Sequence, residues 1–210
     1  MVSKLRIQIM SGELKKGTIL SENQLSAEFG MSRSPIREAL RILSNEGLID
    51  LQRMGAVVIG LTARDLYELY DVRLLLEHFV LERLSEVNHD SLIKKLEQSI
   101  DQMNMAAKYD DYVEFAYQDL RFHELVIIEA DHKRILKLWE SIREIILAAL
   151  LITTEKRFRD DKKAVMPLIE QHHEMIKALK SQNIERIQDE VKRHFEDTRN
   201  TITASLLNEA

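Results

Sequence analysis

The spacing of apolar residues along the chain changes character once, near residue 62. Beyond that point they recur every three to four positions through six stretches, roughly 63–85, 89–107, 110–130, 132–155, 161–180 and 183–207, the period of an amphipathic helix. Breaks fall at polar clusters that favour caps or turns: Asn88-His89-Asp90, Asp110-Asp111, Ala130-Asp131, the surroundings of Pro167, and Ser181-Gln182-Asn183. Six helices on short connections predict an antiparallel helical bundle. Before residue 62 the periodic pieces are shorter. Leu25 and Phe29 share one helical face, and Ile36, Ala39, Leu40 and Leu43 share another. Residues 48–51 and 56–59 then read as two short strands joined by a turn at Arg53-Met54-Gly55.

The ends of the two short helices are marked by their own chemistry. Ser21 followed by Gln24 forms a capping box, and Gly30 is placed to end the first of them. Ser34 suits the N-cap of the second, Pro35 its first position, where no N–H is needed, and Gly47 its C′ position. Helix, turn, helix and two strands in that order predict a winged helix-turn-helix. The fold class is therefore mainly α, with an N-terminal winged helix-turn-helix (1–62) followed by an all-α bundle (63–210). Glycine usage agrees with this division: all six glycines precede residue 61, so turns crowd the first segment and long helices fill the second.

On the second short helix Arg33, Arg37 and Arg41 step by four along the face opposite the apolar one, beside the hydroxyls of Ser32 and Ser34. Cations and hydroxyls at a helix N-terminus are what insertion into the DNA major groove requires, for phosphate contacts and for guanine edges. Arg53 and Gly55 add the tip of the wing. An arginine stripe is also compatible with a solvated face; the capped turn, the proline-led helix and the wing together favour DNA. Charge supports this division of labour. The chain carries a net charge of −5, yet residues 1–62 hold eight Lys/Arg against six Asp/Glu and the remainder 22 against 29.

With no cysteine, disulfides, thiolate metal sites and cysteine nucleophiles are excluded, and a reducing cytoplasm fits. The longest apolar run, residues 145–152, is far short of the roughly 18 residues of a membrane span, so no membrane association is expected. In the second segment Asp119 and His123 lie four apart on a core-facing stripe with Phe115, Ala116, Phe122 and Val126. His172 and His194 sit on the apolar stripes of two later helices, with His173 turned toward solvent. One carboxylate and three imidazoles make a set for a first-row divalent metal such as Zn, Ni or Mn. The same positions also suit hydrogen-bonded core histidines, with Asp119 paired to Arg121 or His123. Arg73 and Glu77 share another apolar stripe, where the arginine suits a carboxylate ligand or a plain intrahelical pair. Trp139, Met103 and Met105 read as core fillers. Glu129 with His132 and Glu170 with His173 are Glu-x-x-His patterns of the kind that build di-iron enzymes, a rival reading, though one lies at a helix end and one faces outward.

The run GELKKGTILSENQLSAEFGMSRSPIREALRILSNEGLI resembles the N-terminal domain of the GntR superfamily of bacterial regulators, and YDVRLLLE with the D-x-x-x-H of residues 119–123 resembles its FadR branch. The resemblance implies a helical effector domain of the shorter six-helix type. It implies DNA contacts from Ser32, Arg33, Ser34, Arg37 and Gly55, and a metal held by Asp119, His123, His172 and His194. A homodimer on a pseudo-palindromic operator is implied too, released by a small carboxylate effector, a sugar acid such as gluconate. A regulator whose signal is the metal itself would use the same residues. The sequence departs from the pattern at Asn23, where some members carry a base-reading arginine, at His132, where relatives often carry asparagine, and at the start, where the first helix looks short.

Overall fold

A computed structural model describes residues 1–207 apart from Met54, Val87, Asn88 and Asp161, without the side chains of Lys162, Ala164 and residues 197–207. Part of the expected turn at Arg53-Met54-Gly55 and part of the expected break at Asn88-His89-Asp90 thus lie outside the described residues. Contacts divide the chain into two compact units, one built on Met1–Leu66 and one on Tyr67–Ser205.

The first unit runs α1 (Val2–Met10), β1 (Ile19–Leu20), α2 (Glu22–Phe29), α3 (Arg33–Asn45), β2 (Ile49–Gln52) and β3 (Gly55–Val58). The strands form one antiparallel sheet in the order β1-β3-β2, with Ile49 opposite Val58, Gln52 opposite Gly55 and Ile19 opposite Val57. Strand β1 was not expected, because two residues are too few to show alternation. Ser21 caps α2 by accepting the Gln24 N–H at 3.1 Å, and Gly30 ends the helix at φ 62°. Helix α3 begins earlier than its proline suggested. Ser32, extended at φ −70° and ψ 166°, is the N-cap in place of Ser34. Pro35 still falls in the first turn, where its missing N–H leaves no helical bond unmade. At the other end the Leu48 N–H reaches the Leu43 carbonyl and the Gly47 N–H the Ser44 carbonyl, both at 3.0 Å. Gly47 supplies the positive φ, 74°, that this Schellman ending demands.

Ile36, Ala39, Leu40 and Leu43 of α3 are at most 3% exposed. Burying each of the larger three contributes about 1.5–3 kcal/mol, which fixes the helix and therefore its opposite face. A buried ion pair adds orientation: the Arg6 Nε and Nη2 of α1 donate to Glu46 at 2.8 and 2.6 Å, just past the end of α3.

The second unit contains α4 (Ala63–Leu84), α5 (Asp90–Lys108), α6 (Tyr112–Glu129), α7 (Lys133–Asp160), a 3₁₀ turn (Lys162–Val165), α8 (Met166–Ser181) and α9 (Ile184–Leu207). Thr62 and Asp65 cap α4 reciprocally: the Thr62 amide and hydroxyl donate to the Asp65 carboxylate at 2.7 and 2.6 Å, and the Asp65 amide returns a bond at 3.2 Å. Without glycine, left-handed turn positions fall to Asp110, Asp131 and Gln182, with φ of 60°, 45° and 51°. Helix α7 continues past the expected residue 155 to Asp160, its last turn carrying Arg157 and Arg159, whose charge suits the negative end of the helix dipole. Helix α5 packs on α6 and α8, and α6 on α7, around Leu92, Ile100, Met103, Phe115, Trp139 and Ile146, all fully buried. Met105, read as a core filler, is instead 48% exposed. Among the described residues no helix is long and apolar enough to cross a membrane.

Candidate functional site

The sequence-predicted DNA-facing residues gather on one unit. Arg33, Ser34, Arg37 and Arg41 are exposed along α3, with Ser32 at its N-cap, and Arg53 and Gly55 belong to the β2–β3 hairpin. Two of the arginines are oriented by carboxylates. Both oxygens of Glu22 accept from Arg37 Nε at 2.9 Å, and Glu38 accepts from Arg41 Nη2 at 2.7 Å. Gly55 has a further reason to be glycine. Its φ is 141°, and a Cβ there would stand 3.0 Å from the Leu20 carbonyl oxygen of β1.

The second cluster lies inside the bundle. His123 from α6, His172 from α8 and His194 from α9 are buried, and one nitrogen of each lies within 4.8 Å of the others. Asp119, one turn before His123, places Oδ1 at 3.5 Å from His123 Nε2 and 3.6 Å from His172 Nε2. These separations are long for hydrogen bonds. They lie close to the ~3.4 Å edge of a tetrahedron with metal–ligand bonds of about 2.1 Å. The outer ring nitrogens are spoken for: His123 Nδ1–H donates to Glu77 Oε2 at 2.5 Å and His172 Nδ1–H to the Leu168 carbonyl at 2.7 Å. That fixes both tautomers with the Nε2 lone pairs directed inward, the arrangement a metal-binding histidine needs. Among the described polar atoms, both Nε2 atoms are buried without a hydrogen-bond partner.

Electrostatics suit the same donor set. Burial opposes charge on Asp119, yet the neighbouring His123 and His172 imidazoles hold the carboxyl well below the usual carboxylate range. Burial, with His172 and His123 beside it, pushes His194 well below the ordinary imidazole value and keeps it neutral. At His123 burial is outweighed by the Glu77 carboxylate, which raises it. Three imidazoles with one ionised carboxylate and no thiolate fit a divalent metal ion.

Beside the cluster stands Arg73, fully buried on α4. Its Nε donates to Glu77 Oε1 at 2.9 Å, and its guanidinium carbon lies 5.0 Å from the Phe195 ring and 5.7 Å from the Tyr70 ring. The terminal nitrogens Nη1 and Nη2 have no hydrogen-bond partner in the described structure, nor does the Tyr70 hydroxyl. Each such buried donor costs about 1–3 kcal/mol unless something pairs with it. Arg73 thus makes the intrahelical pair with Glu77 through Nε, while its two terminal nitrogens stay without a partner in the described structure. Three features of the site are absent from the sequence reading. Glu77 also binds His123, the Tyr70 hydroxyl faces the same interior, and half-buried Arg157, lowered by burial, feels the Asp119 charge. A glutamate on an apolar stripe needs partners for both oxygens, which was the available signal for Glu77.

The Glu-x-x-His patterns do not converge. Glu129 accepts from His89 at 3.2 Å, His132 accepts the Ile135 N–H at 3.3 Å, and exposed Glu170 pairs with Lys177 at 3.6 Å. His132 thus takes a capping role at the start of α7.

A winged helix with exposed arginines in one unit and a helical bundle with a buried histidine cluster in the other fit the class of DNA-binding regulators. Residues 1–59 match the gntR family of bacterial regulatory proteins and residues 68–197 match the FCD domain, and the chain belongs to this family. It is 40% identical to the gluconate operon transcriptional repressors of Bacillus licheniformis and of Bacillus subtilis (strain 168), over 95% of this chain and 82% of each relative. A GntR transcriptional regulator from Rhodococcus sp. RHA1 shares the fold at a TM-score of 0.71 and 23% identity, covering 97% of this chain and 96% of its own. The McbR/YncC protein of E. coli does so at 0.73 and 19%, covering 96% and 94%. The relatives are transcription regulators, and the enzyme reading falls with them.

Proposed function

We infer that this chain is a transcriptional repressor that releases its operator when a small carboxylate, a sugar acid such as gluconate, enters a metal-containing pocket in the bundle. One observation carries the reading: the unpaired, buried fork of Arg73 lies beside the Asp119, His123, His172 and His194 cluster. A carboxylate is the ligand that such a fork accepts with two parallel bonds, and a bound divalent cation would attract the same group. Asp119, His123, His172 and His194 would hold Zn, Ni or Mn, which would act as a Lewis acid toward the effector. The name of the Bacillus relatives, gluconate operon repressor, supports a sugar acid.

On the DNA side, Ser32, Arg33, Ser34, Arg37, Arg41, Arg53 and Gly55 form the reading surface. The chain acts as a homodimer on a pseudo-palindromic operator, each head taking one half-site. Effector binding shifts the population of dimers whose heads match that spacing.

The His123→Ala, His194→Ala double variant should lose the bound metal by elemental analysis; unchanged stoichiometry would reject the metal site. Arg33→Ala with Arg37→Ala should abolish operator retention in a gel shift at an unchanged circular dichroism spectrum. Full retention would reject the reading surface.

A further inference from the structure

We propose that Glu77 couples the two halves of this pocket, so that metal binding and carboxylate binding strengthen one another through a single side chain. The inference rests on the pocket reading above. Glu77 is completely buried on α4, one turn after Arg73, and its two oxygens serve different partners. Oε1 accepts from Arg73 Nε at 2.9 Å, and Oε2 accepts from His123 Nδ1 at 2.5 Å, across 46 residues of sequence. One bond holds the guanidinium by its inner nitrogen and leaves Nη1 and Nη2 available. The other fixes the tautomer that directs the His123 Nε2 lone pair toward Asp119 and the other imidazoles.

The direction of coupling follows from sharing one negative charge. With a cation held at Nε2, the His123 Nδ1–H would become a stronger donor and would draw Glu77 toward the imidazole. Arg73 then has less of its charge balanced within the protein, and an incoming carboxylate is bound more tightly. Carboxylate binding at Arg73 in turn leaves Glu77 freer to support His123. Linkage requires the two effects to have the same size.

The test is calorimetric titration of the full chain with Zn²⁺, with and without saturating gluconate, and with gluconate at saturating Zn²⁺. In the wild type each ligand should tighten the other by the same factor, about fivefold or more. Glu77→Gln should weaken Zn²⁺ binding by about 10–100-fold and lower the coupling factor to the part that direct attraction between cation and carboxylate supplies. A merely structural role would lower both affinities and leave their ratio unchanged, and that result would overturn the proposal. Glu77→Asp keeps the charge but, one methylene shorter, cannot span both partners. It should also lower the coupling factor, and it keeps the proposal testable if the glutamine variant does not fold. A wild type that binds Zn²⁺ but shows no effect of gluconate on that affinity overturns the coupling alone, whereas a wild type that takes up no Zn²⁺, Ni²⁺ or Mn²⁺ overturns the pocket reading beneath it.

Discussion

Replacing Gly55 by alanine separates two reasons for having glycine at the wing. Resemblance places it against DNA; the sheet gives it a purely internal one. Strand β3 is the middle strand, and at Gly55 the backbone adopts φ 141°, which side-chain-bearing residues rarely adopt. An added Cβ would stand 3.0 Å from the Leu20 carbonyl oxygen and 3.3 Å from Ile19 Cγ2, so β1 would have to move. Backbone strain of about 1–3 kcal/mol and an overpacking cost of similar size give a total near 3 kcal/mol. Hydrogen exchange reads this locally. The Val58 amide, bonded to the Thr18 carbonyl at 2.9 Å, should lose protection by roughly 150-fold. Operator affinity should fall with it. Unchanged protection at Val58 with weakened operator binding would refute the steric reasoning and leave DNA contact as the sole reason for the glycine.

Two further outcomes follow from the caps. The Asp65 carboxyl is held below its ordinary value by the hydroxyl and then the amide of Thr62. Its contribution is therefore complete above the unfolded carboxylate pKa of about 4 and fades as pH falls through the lower folded value. Asp65→Ala should cost about 1 kcal/mol at neutral pH, a difference that shrinks in acid when urea midpoints are compared; a constant difference would contradict the capping role. At Gln182, left-handed at φ 51°, glycine removes steric strain. Gln182→Gly should gain about 1 kcal/mol and raise Tm by about 2–4 °C, and a lower Tm by calorimetry would contradict it.

The parts of the fold that the sequence discloses are those written locally. Ser21, Gly30 and Gly47 act within one turn of themselves, and the polar breaks at Asp110, Asp131 and Gln182 are where helices end. The start of α3 was misplaced by two residues, because a strong positional preference of Pro35 yielded to the extended backbone at Ser32. Strand β1 carries too little pattern to be seen. In the pocket, Asp119 and His123 were legible as a pair at helical spacing, and His172 and His194 as polar residues on apolar stripes. Their convergence to one point depends on how α6, α8 and α9 pack, which spacing alone does not determine. The bond between Glu77 and His123 was hidden by the same distance along the chain, although Glu77 itself had been noticed beside Arg73.

In the proposed function a carboxylate effector acts through a metal-anchored pocket to release DNA. The most direct test is an operator gel shift titrated with gluconate and related sugar acids, using protein stripped by a chelator and protein reloaded with Zn²⁺, Ni²⁺ or Mn²⁺. A sugar acid should release the operator from the reloaded protein and have no such effect on the stripped protein. Equal release from both, or release by the metal alone with no response to any sugar acid, would contradict it.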